Sequence, residues 1–168
     1  LYLTCADGEG GPQVFSAASN REQAGQVFDE AKLMVQASPE LSAAAALSKS
    51  AIYFPRFNGV YRVLSAKPGS KHGLNVSGVG IDEVHAIKDR ELYDVLTSAS
   101  ASRTQPLEII ISTAGNNVGS FGYELWEYAL KVRDGALEDP EFMAIVYAAD
   151  PGDNWRDEKV WAKANPNL

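Results

Sequence analysis

The run LEIIISTAG, from Leu107 to Gly115, is the most strongly β-branched stretch of the chain and constrains the fold more than any other. Its apolar residues are largely continuous, which is typical of a strand that is buried on both faces. Such strands belong to parallel sheets that helices cover on both sides. We therefore expect a buried strand that ends in Ser112, Thr113 and a Gly-Asn-Asn turn.

The other apolar patterns of the chain alternate between strands and amphipathic helices. Short apolar runs predict strands, and apolar residues at helical spacing predict helices between them. The predicted strands are Pro12–Ala18, Ala51–Phe54, Val60–Ala66, Val76–Ile81 and Phe142–Asp150. The predicted helices are Asn20–Gln36, Asp89–Ser100, Phe121–Gly135 and a short helix within Asp153–Pro166. This order predicts an α/β fold with a mostly parallel sheet and helices on both faces.

Three local segments add details to this outline. Ser19 with Glu22 three residues later fits a capping box, so we expect this pair to begin the first long helix. The segment Ala43–Ala46 fits either a short helix or a low-complexity connector. The turn-rich loop Lys67–Gly73 carries two lysines, which either touch DNA phosphates or are ordinary solvated side chains.

Charge and cysteine content limit the classes of function. The net charge of −7 and the pI of about 4.8 argue against a broad basic surface for nucleic acid, although a few basic residues can still touch phosphates. The single cysteine, Cys5, excludes an internal disulfide and indicates a reducing compartment. No apolar run approaches the ~20 residues that span a bilayer, so we expect no membrane association.

The two ends of the chain are interrupted patterns. The opening LYLTCADGEGG resembles the last turn of a helix, followed by a glycine-rich turn. The closing ANPNL is a turn and not a finished element. We therefore expect a piece of a longer protein, truncated at the N-terminus.

Two adjacent acids, Asp82 and Glu83, end a predicted strand within GVGIDEVHAIKD. The first can hold Mg²⁺, usually through water, and the second can orient and deprotonate an attacking water. The same letters also fit a strand that simply reaches solvent. Gly78 and Gly80 weaken the motif because they interrupt the usual apolar run.

Ser112 and Thr113 end the second buried strand, with a helical crossover between the two strands. Hydroxyls at this place can bond a phosphate oxygen or the attacking water, or they can merely cap a turn. Ligands of open α/β sheets bind at the carboxyl ends of strands. The two strand ends together favour an ATPase.

Four segments resemble one protein family in order and spacing. They are VFSAASNREQAGQVFDEA (14–31), GIDEVHAIKDRELYDVLTSA (80–99), RTQPLEIIISTAGNN (103–117) and DNWRDEKVWAKANPNL (153–168). Through them the chain is similar to the ATPase domain of the large subunit of tailed-bacteriophage terminases. The resemblance implies a RecA-like P-loop NTPase core. Residues 1–168 would be a partial ATPase domain, in which 151–168 begin a linker toward a nuclease domain.

The resemblance implies a motor that uses ATP to pump phage DNA into procapsids. Asp82 would hold Mg²⁺ in the Walker B segment, Glu83 would be the catalytic carboxylate, and Ser112 and Thr113 would form the coupling motif. Implied partners are double-stranded DNA, the portal protein, the small terminase subunit and further copies in a ring. The protein would work in the host cytoplasm and transiently at the procapsid portal.

The family's Gly-rich phosphate-binding loop, Walker A, is not present in this sequence. No G-x-x-x-x-G-K-[ST] occurs in it, and in the family the loop lies just before the point where this chain begins. The residues that contact ATP are therefore not assigned. The parent protein is expected to be an ATPase and an endonuclease, whereas this chain alone is expected to be inactive.

Two other interpretations stay open from the sequence. DEVH (Asp82–His85) fits the DExH box of a helicase, and STA (Ser112–Ala114) is similar to a helicase Ser-Ala-Thr motif. The missing phosphate-binding loop instead favours a non-catalytic interaction module. Arg103 precedes the coupling strand and is a candidate to act on the ATP of a neighbouring subunit.

Overall fold

The computed structural model describes residues 1–64, 73–88 and 90–167. They divide into two compact units, Leu1–Gly122 and Tyr123–Leu168. The helices are α1 (Tyr2–Cys5), α2 (Arg21–Ala37), α3 (Pro39–Ala44), α4 (Glu91–Ser100), α5 (Phe121–Arg133) and α6 (Glu158–Ala164). The strands are β1 (Gln13–Ala17), β2 (Ala46–Leu47), β3 (Ala51–Phe54), β4 (Gly59–Leu64), β5 (Val76–Asp82) and β6 (Leu107–Ile111).

The first unit contains one sheet in the order β2-β3-β4-β1-β5-β6. Strands β4, β1, β5 and β6 are parallel, whereas β2, β3 and β4 form an antiparallel meander. The turn between β3 and β4 is tight because Asn58 adopts the left-handed conformation, with φ of 51°. The predicted α/β fold with a mostly parallel sheet is confirmed.

Helices α2 and α4 cover opposite faces of the sheet. On one face, the Ser16 hydroxyl of β1 donates to the carbonyl of Ala24 in α2, at 2.9 Å. On the other face lies Glu108 of β6, which is in register with Val79 and bonds Thr97 of α4. Burial on this face raises the pKa of the Glu108 carboxyl.

The core on the α2 side consists of buried side chains from the helix and from β3 and β4. Its buried members are Phe28, Ala31, Val35, Ile52, Phe54 and Tyr61. The rings of Phe28 and Tyr61 lie 5.4 Å apart at a tilted angle. The burial of these apolar side chains is the main stabilisation of this face.

Glycines let α1 approach the sheet closely. A Cβ on Gly59 would lie 2.1 Å from the carbonyl oxygen of Thr4, and one on Gly78 would lie 2.5 Å from a methyl of Leu3. A side chain at Gly59 would therefore displace the backbone of α1. Gly78, which weakens the strand pattern in the sequence, provides the space that Leu3 occupies.

The first long helix is capped one residue later than predicted. The Asn20 side chain accepts from the backbone N–H of Gln23 at 2.9 Å, while the Ser19 hydroxyl donates to the Gln23 side chain at 2.7 Å. The capping box of Ser19 and Glu22 is therefore wrong, because Asn20 has the extended backbone of an N-cap. The open segment 43–46 divides between the end of α3 and the start of β2.

The prediction that β6 is buried on both faces is wrong for the described residues. Among their strands β6 lies at the edge of the sheet, and it ends at Ile111, just before the predicted end at Ser112 and Thr113. Leu107, Ile109 and Ile111 are exposed, Ile111 by 62%. Only Glu108 and Ile110 face α4 and are half-buried. The apolar run does form a strand, as its sequence predicts. One face of β6 is exposed because no element of the described residues covers it.

The second unit contains most of α5 and all of α6. Tyr128 of α5 packs edge-on against Phe142, with ring centroids 5.0 Å apart. Asp157 caps α6, and Lys163 of that helix pairs with Asp150 and with Asp153, the latter at 3.0 Å. The predicted short helix near the end of the chain is therefore present.

The predicted strand Phe142–Asp150 is wrong. These residues pair with none of the described strands, and Met143 is 82% exposed. Alternating apolar residues give strand propensity, but a strand forms only where a neighbour supplies its hydrogen bonds.

Two further expectations concern the loops and the membrane. The predicted loop Lys67–Gly73 lies outside the described residues except for Gly73. Within the described ranges, no helix has both the length and the apolar character that crossing a bilayer requires.

Candidate functional site

The carboxyl ends of β5 and β6 lie side by side. The two strands are parallel, and Asp82 is in register with Ile111. Asp82 and Glu83 therefore leave the sheet at the same edge as Ser112 and Thr113. The structure brings together the two strand ends that the sequence singled out.

The backbone turns sharply at Glu83. This residue has φ of 54° and ψ of 48°, and among the described residues only Asn58 shares a positive φ without being glycine. For a residue with a Cβ, this left-handed conformation costs about 1–2 kcal/mol. Strained backbone of this kind persists where surrounding contacts enforce it, and it is common at functional sites.

His85 connects the two strand ends. Its Nδ1 lies 2.9 Å from the Ser112 Oγ, and its backbone N–H donates to the same oxygen at 3.3 Å. Its Nε2 lies 3.2 Å from the Glu83 carboxylate. The sequence marked His85 only through its DExH spacing from Asp82, and it was not among the predicted site residues.

Two glycines hold the turn that carries His85. A Cβ on Gly115 would lie 3.0 Å from the Cβ of His85. A Cβ on Gly122 would lie 2.7 Å from the Cα of His85 and 3.2 Å from the carbonyl oxygen of Val84. Gly115 in the loop after β6 and Gly122 at the start of α5 thus lie directly against this turn.

Ser112 has two acceptors within reach. Besides contacting His85, its hydroxyl lies 3.0 Å from the Thr113 carbonyl oxygen. Ser112 and Thr113 are both exposed. The hydroxyls are therefore accessible to a ligand at this edge, and their coupling role stays a prediction.

Asp82 is half-buried at the end of β5. No group of three or more His, Cys, Asp or Glu in the described part of the chain is arranged to hold a metal ion. Mg²⁺ commonly uses one or two carboxylates together with waters and substrate phosphates. A single carboxylate at a strand end fits that mode of binding, and it does not fit an all-protein metal cage.

Arg103 does not lie at the two strand ends; its side chain binds other segments of the same chain. Its side chain is only 8% exposed and pairs with Glu9 at 3.2 Å. It also donates to the carbonyls of Gly10 at 3.1 Å, Gly11 at 2.8 Å and Asn75 at 3.3 Å. A guanidinium held by its own chain in this way does not fit the alternative of acting on a neighbouring subunit.

A cavity of about 360 Å³ lies beside α2, away from the two strand ends. Its lining residues are Arg21, Gly25, Phe28, Asp29, Lys49, Ser50 and Val63. None of the predicted site residues lines it.

Comparisons with known proteins give a consistent result. The family model of the terminase large subunit ATPase domain matches residues 1–131. Protein YmfN of Escherichia coli is 34% identical over 88 residues, which are 52% of this chain and 19% of that protein. The large terminase subunit of Enterobacteria phage HK97 is 31% identical over 162 residues, 93% of this chain and 31% of that protein.

The fold agrees with the sequence comparison. The crystal structure of the HK97 bacteriophage large terminase superposes with a TM-score of 0.84 at 27% identity, covering 99% of this chain and 35% of that one. The chain thus spans about a third or less of the length of these relatives.

Proposed function

Because the chain belongs to the family of terminase large subunit ATPase domains, we propose that it is the central part of the ATPase of a phage DNA-packaging motor. The observation that carries this proposal is the meeting of two strand ends through His85. Acid and hydroxyl groups at one edge of a parallel sheet suit the hydrolysis of a bound nucleotide.

Each site residue has a proposed task. Asp82 would hold Mg²⁺, which would supply positive charge against the charge that develops on the phosphates. Glu83 orients the attacking water and accepts its proton. The hydroxyls of Ser112 and Thr113 bond a phosphate oxygen. A small movement of this strand end is then transmitted to the loop after Thr113. Every one of these groups belongs to the first compact unit.

The phosphate-binding segment is proposed to pair with the outer edge of β6. Ile109 and Ile111 are exposed on the face that also carries Gly80, and a Cβ on Gly80 would meet no atom within 4 Å. On the same face, Leu3 of α1 covers Gly78. A strand and a longer α1 that precede Leu1 in a complete large subunit would cover this strip.

The partners follow from the proposed motor. They are double-stranded DNA, the portal protein, the small terminase subunit and further copies of the large subunit in a ring. The place of action is the host cytoplasm, with transient binding at the procapsid portal. A nuclease domain would follow the linker that begins at 151–168. No specific observation favours the helicase or the interaction module over this proposal.

The first test uses the 168-residue chain alone. We expect negligible phosphate release from Mg-ATP, because the sequence lacks the loop whose backbone N–H groups and lysine hold the triphosphate. A longer protein that adds this loop is the positive control. Robust turnover by the chain alone that disappears in Glu83→Gln would contradict the proposal.

A second test separates a motor from a plain hydrolase. In a complete large subunit, Thr113→Val keeps the shape of the side chain and removes its hydroxyl. We expect ATP binding to persist while DNA packaged per ATP falls by about threefold or more, within the range of coupling changes seen for single residues. The measurement is packaging rate beside phosphate release.

Thr104→Val is the matched control. Thr104 is exposed and precedes the first residue of β6, whereas the site lies after the last residue of this strand. If Thr113→Val packages and hydrolyses like the unchanged protein, its hydroxyl has no part in coupling.

A further inference from the structure

We propose that His85 is a positioning residue that links the catalytic carboxylate to the coupling strand through its hydrogen bond with Ser112 and its charged contact with Glu83. This inference rests on the proposed function, because it assigns a task to a residue between two groups of that site. Its observation is separate, namely that one imidazole ring contacts both strand ends.

The chemistry of a neutral imidazole gives these two contacts a direction. One ring nitrogen carries a hydrogen and the other accepts one. The negative charge of an ionised Glu83 favours the tautomer that carries its hydrogen on Nε2, because this nitrogen lies 3.2 Å from the carboxylate. Nδ1 is then the acceptor and receives the hydroxyl hydrogen of Ser112 across 2.9 Å.

This direction makes the Ser112 hydroxyl choose between two acceptors. It has one hydrogen, and the carbonyl oxygen of Thr113 lies 3.0 Å away, almost as close as the ring. While Glu83 lies against the Nε2 of His85, Nδ1 is the acceptor and the hydroxyl points to the ring. When Glu83 turns toward a water at the nucleotide, its charge no longer favours this tautomer, and the hydroxyl can turn to Thr113. The orientation of a coupling-strand group thus depends on the position of Glu83.

The surrounding backbone keeps the ring in place. Gly122 approaches the Cα of His85 so closely that an added Cβ would lie 2.7 Å from it, and Gly115 lies against the Cβ of His85. The left-handed turn at Glu83 places its carboxylate against the ring of the residue two positions later. Displacing the ring would therefore push on the loop that follows the coupling strand.

The test uses a complete large subunit with ATP hydrolysis and DNA packaging measured together. His85→Asn puts an amide near the position of Nδ1. The shorter side chain cannot reach Glu83, so the contact with Glu83 is lost while a polar group stays beside Ser112. We expect KM for ATP to stay within about twofold, while DNA packaged per ATP falls about threefold to tenfold. His85→Gln serves the same purpose if His85→Asn does not fold.

A double-mutant cycle with Ser112→Ala tests whether Ser112 and His85 act through one path. If they do, the double variant packages no worse per ATP than the more impaired single variant. Ser102→Ala is the control for loss of a serine hydroxyl, because Ser102 bonds Asn75 at 3.0 Å outside the site. Additive losses, or a raised KM with unchanged packaging per ATP, would overturn the inference.

Glu83→Gln in the same series separates this inference from the proposed function. Normal turnover in Glu83→Gln means that the proposed function itself fails. Loss of turnover in Glu83→Gln together with normal packaging per ATP in His85→Asn means that only the link through His85 fails.

Discussion

Replacing Glu83 by glutamine in a complete large subunit is expected to lower ATP turnover by about 10²–10⁴-fold, the usual contribution of a general base. ATP should still bind, because in the proposed motor the phosphate-binding loop and Mg²⁺ hold the nucleotide. The amide has the shape of the carboxylate but cannot accept the proton of the attacking water. The measurement is phosphate release at saturating ATP, with nucleotide binding measured in parallel.

The structure explains why this substitution is a clean test. The Glu83 carboxylate lies 3.2 Å from the Nε2 of His85, and the side-chain oxygen of a glutamine can occupy the same position. The strained turn and the contact with His85 are thereby preserved. Glu22→Gln is the matched control, since Glu22 is exposed in the first turn of α2. Near-normal turnover in Glu83→Gln would place the base elsewhere.

Replacing Phe28 by alanine is expected to lower the free energy of unfolding of the chain by about 3–5 kcal/mol. Phe28 is 1% exposed, and its ring lies against Tyr61 in the core between α2 and the sheet. Removing the ring leaves a cavity that a strand and a helix on opposite sides cannot close. The measurement is a denaturant titration followed by far-UV circular dichroism.

The neighbouring residue offers the control for this variant. Val27 lies on the same helix and is 44% exposed, so Val27→Ala should change stability by less than about 0.5 kcal/mol. Equal losses of unfolding free energy in the two variants would show that α2 does not pack on the sheet through the face that carries Phe28.

The site combines three ordinary elements into an arrangement that no one of them specifies. A parallel pair of strands sets the register of Asp82 with Ile111. A left-handed residue then turns the chain at Glu83, and a histidine two residues later reaches across to Ser112. The geometry therefore depends on backbone conformation as much as on the identity of the acids.

Apolar spacing in the sequence was sufficient to predict α2, α4 and α5, together with β1 and β5. In α2 and α4 the buried residues follow the helical period, whereas β1 and β5 are short apolar runs buried on both faces. Both signals are local properties of the chain. Adjacent acids and hydroxyls at strand ends likewise predicted which residues would meet, because the carboxyl ends of parallel strands share one edge.

Burial and pairing were decided only by the tertiary structure. Ile109 and Ile111 have the sequence of a buried strand, but exposure depends on which elements cover β6. Phe142–Asp150 has strand propensity but pairs with no described strand. The contact of His85 with Ser112 spans 27 positions and follows from strand register and the turn at Glu83. Local periodicity fixes the elements, whereas such contacts depend on residues distant in the chain.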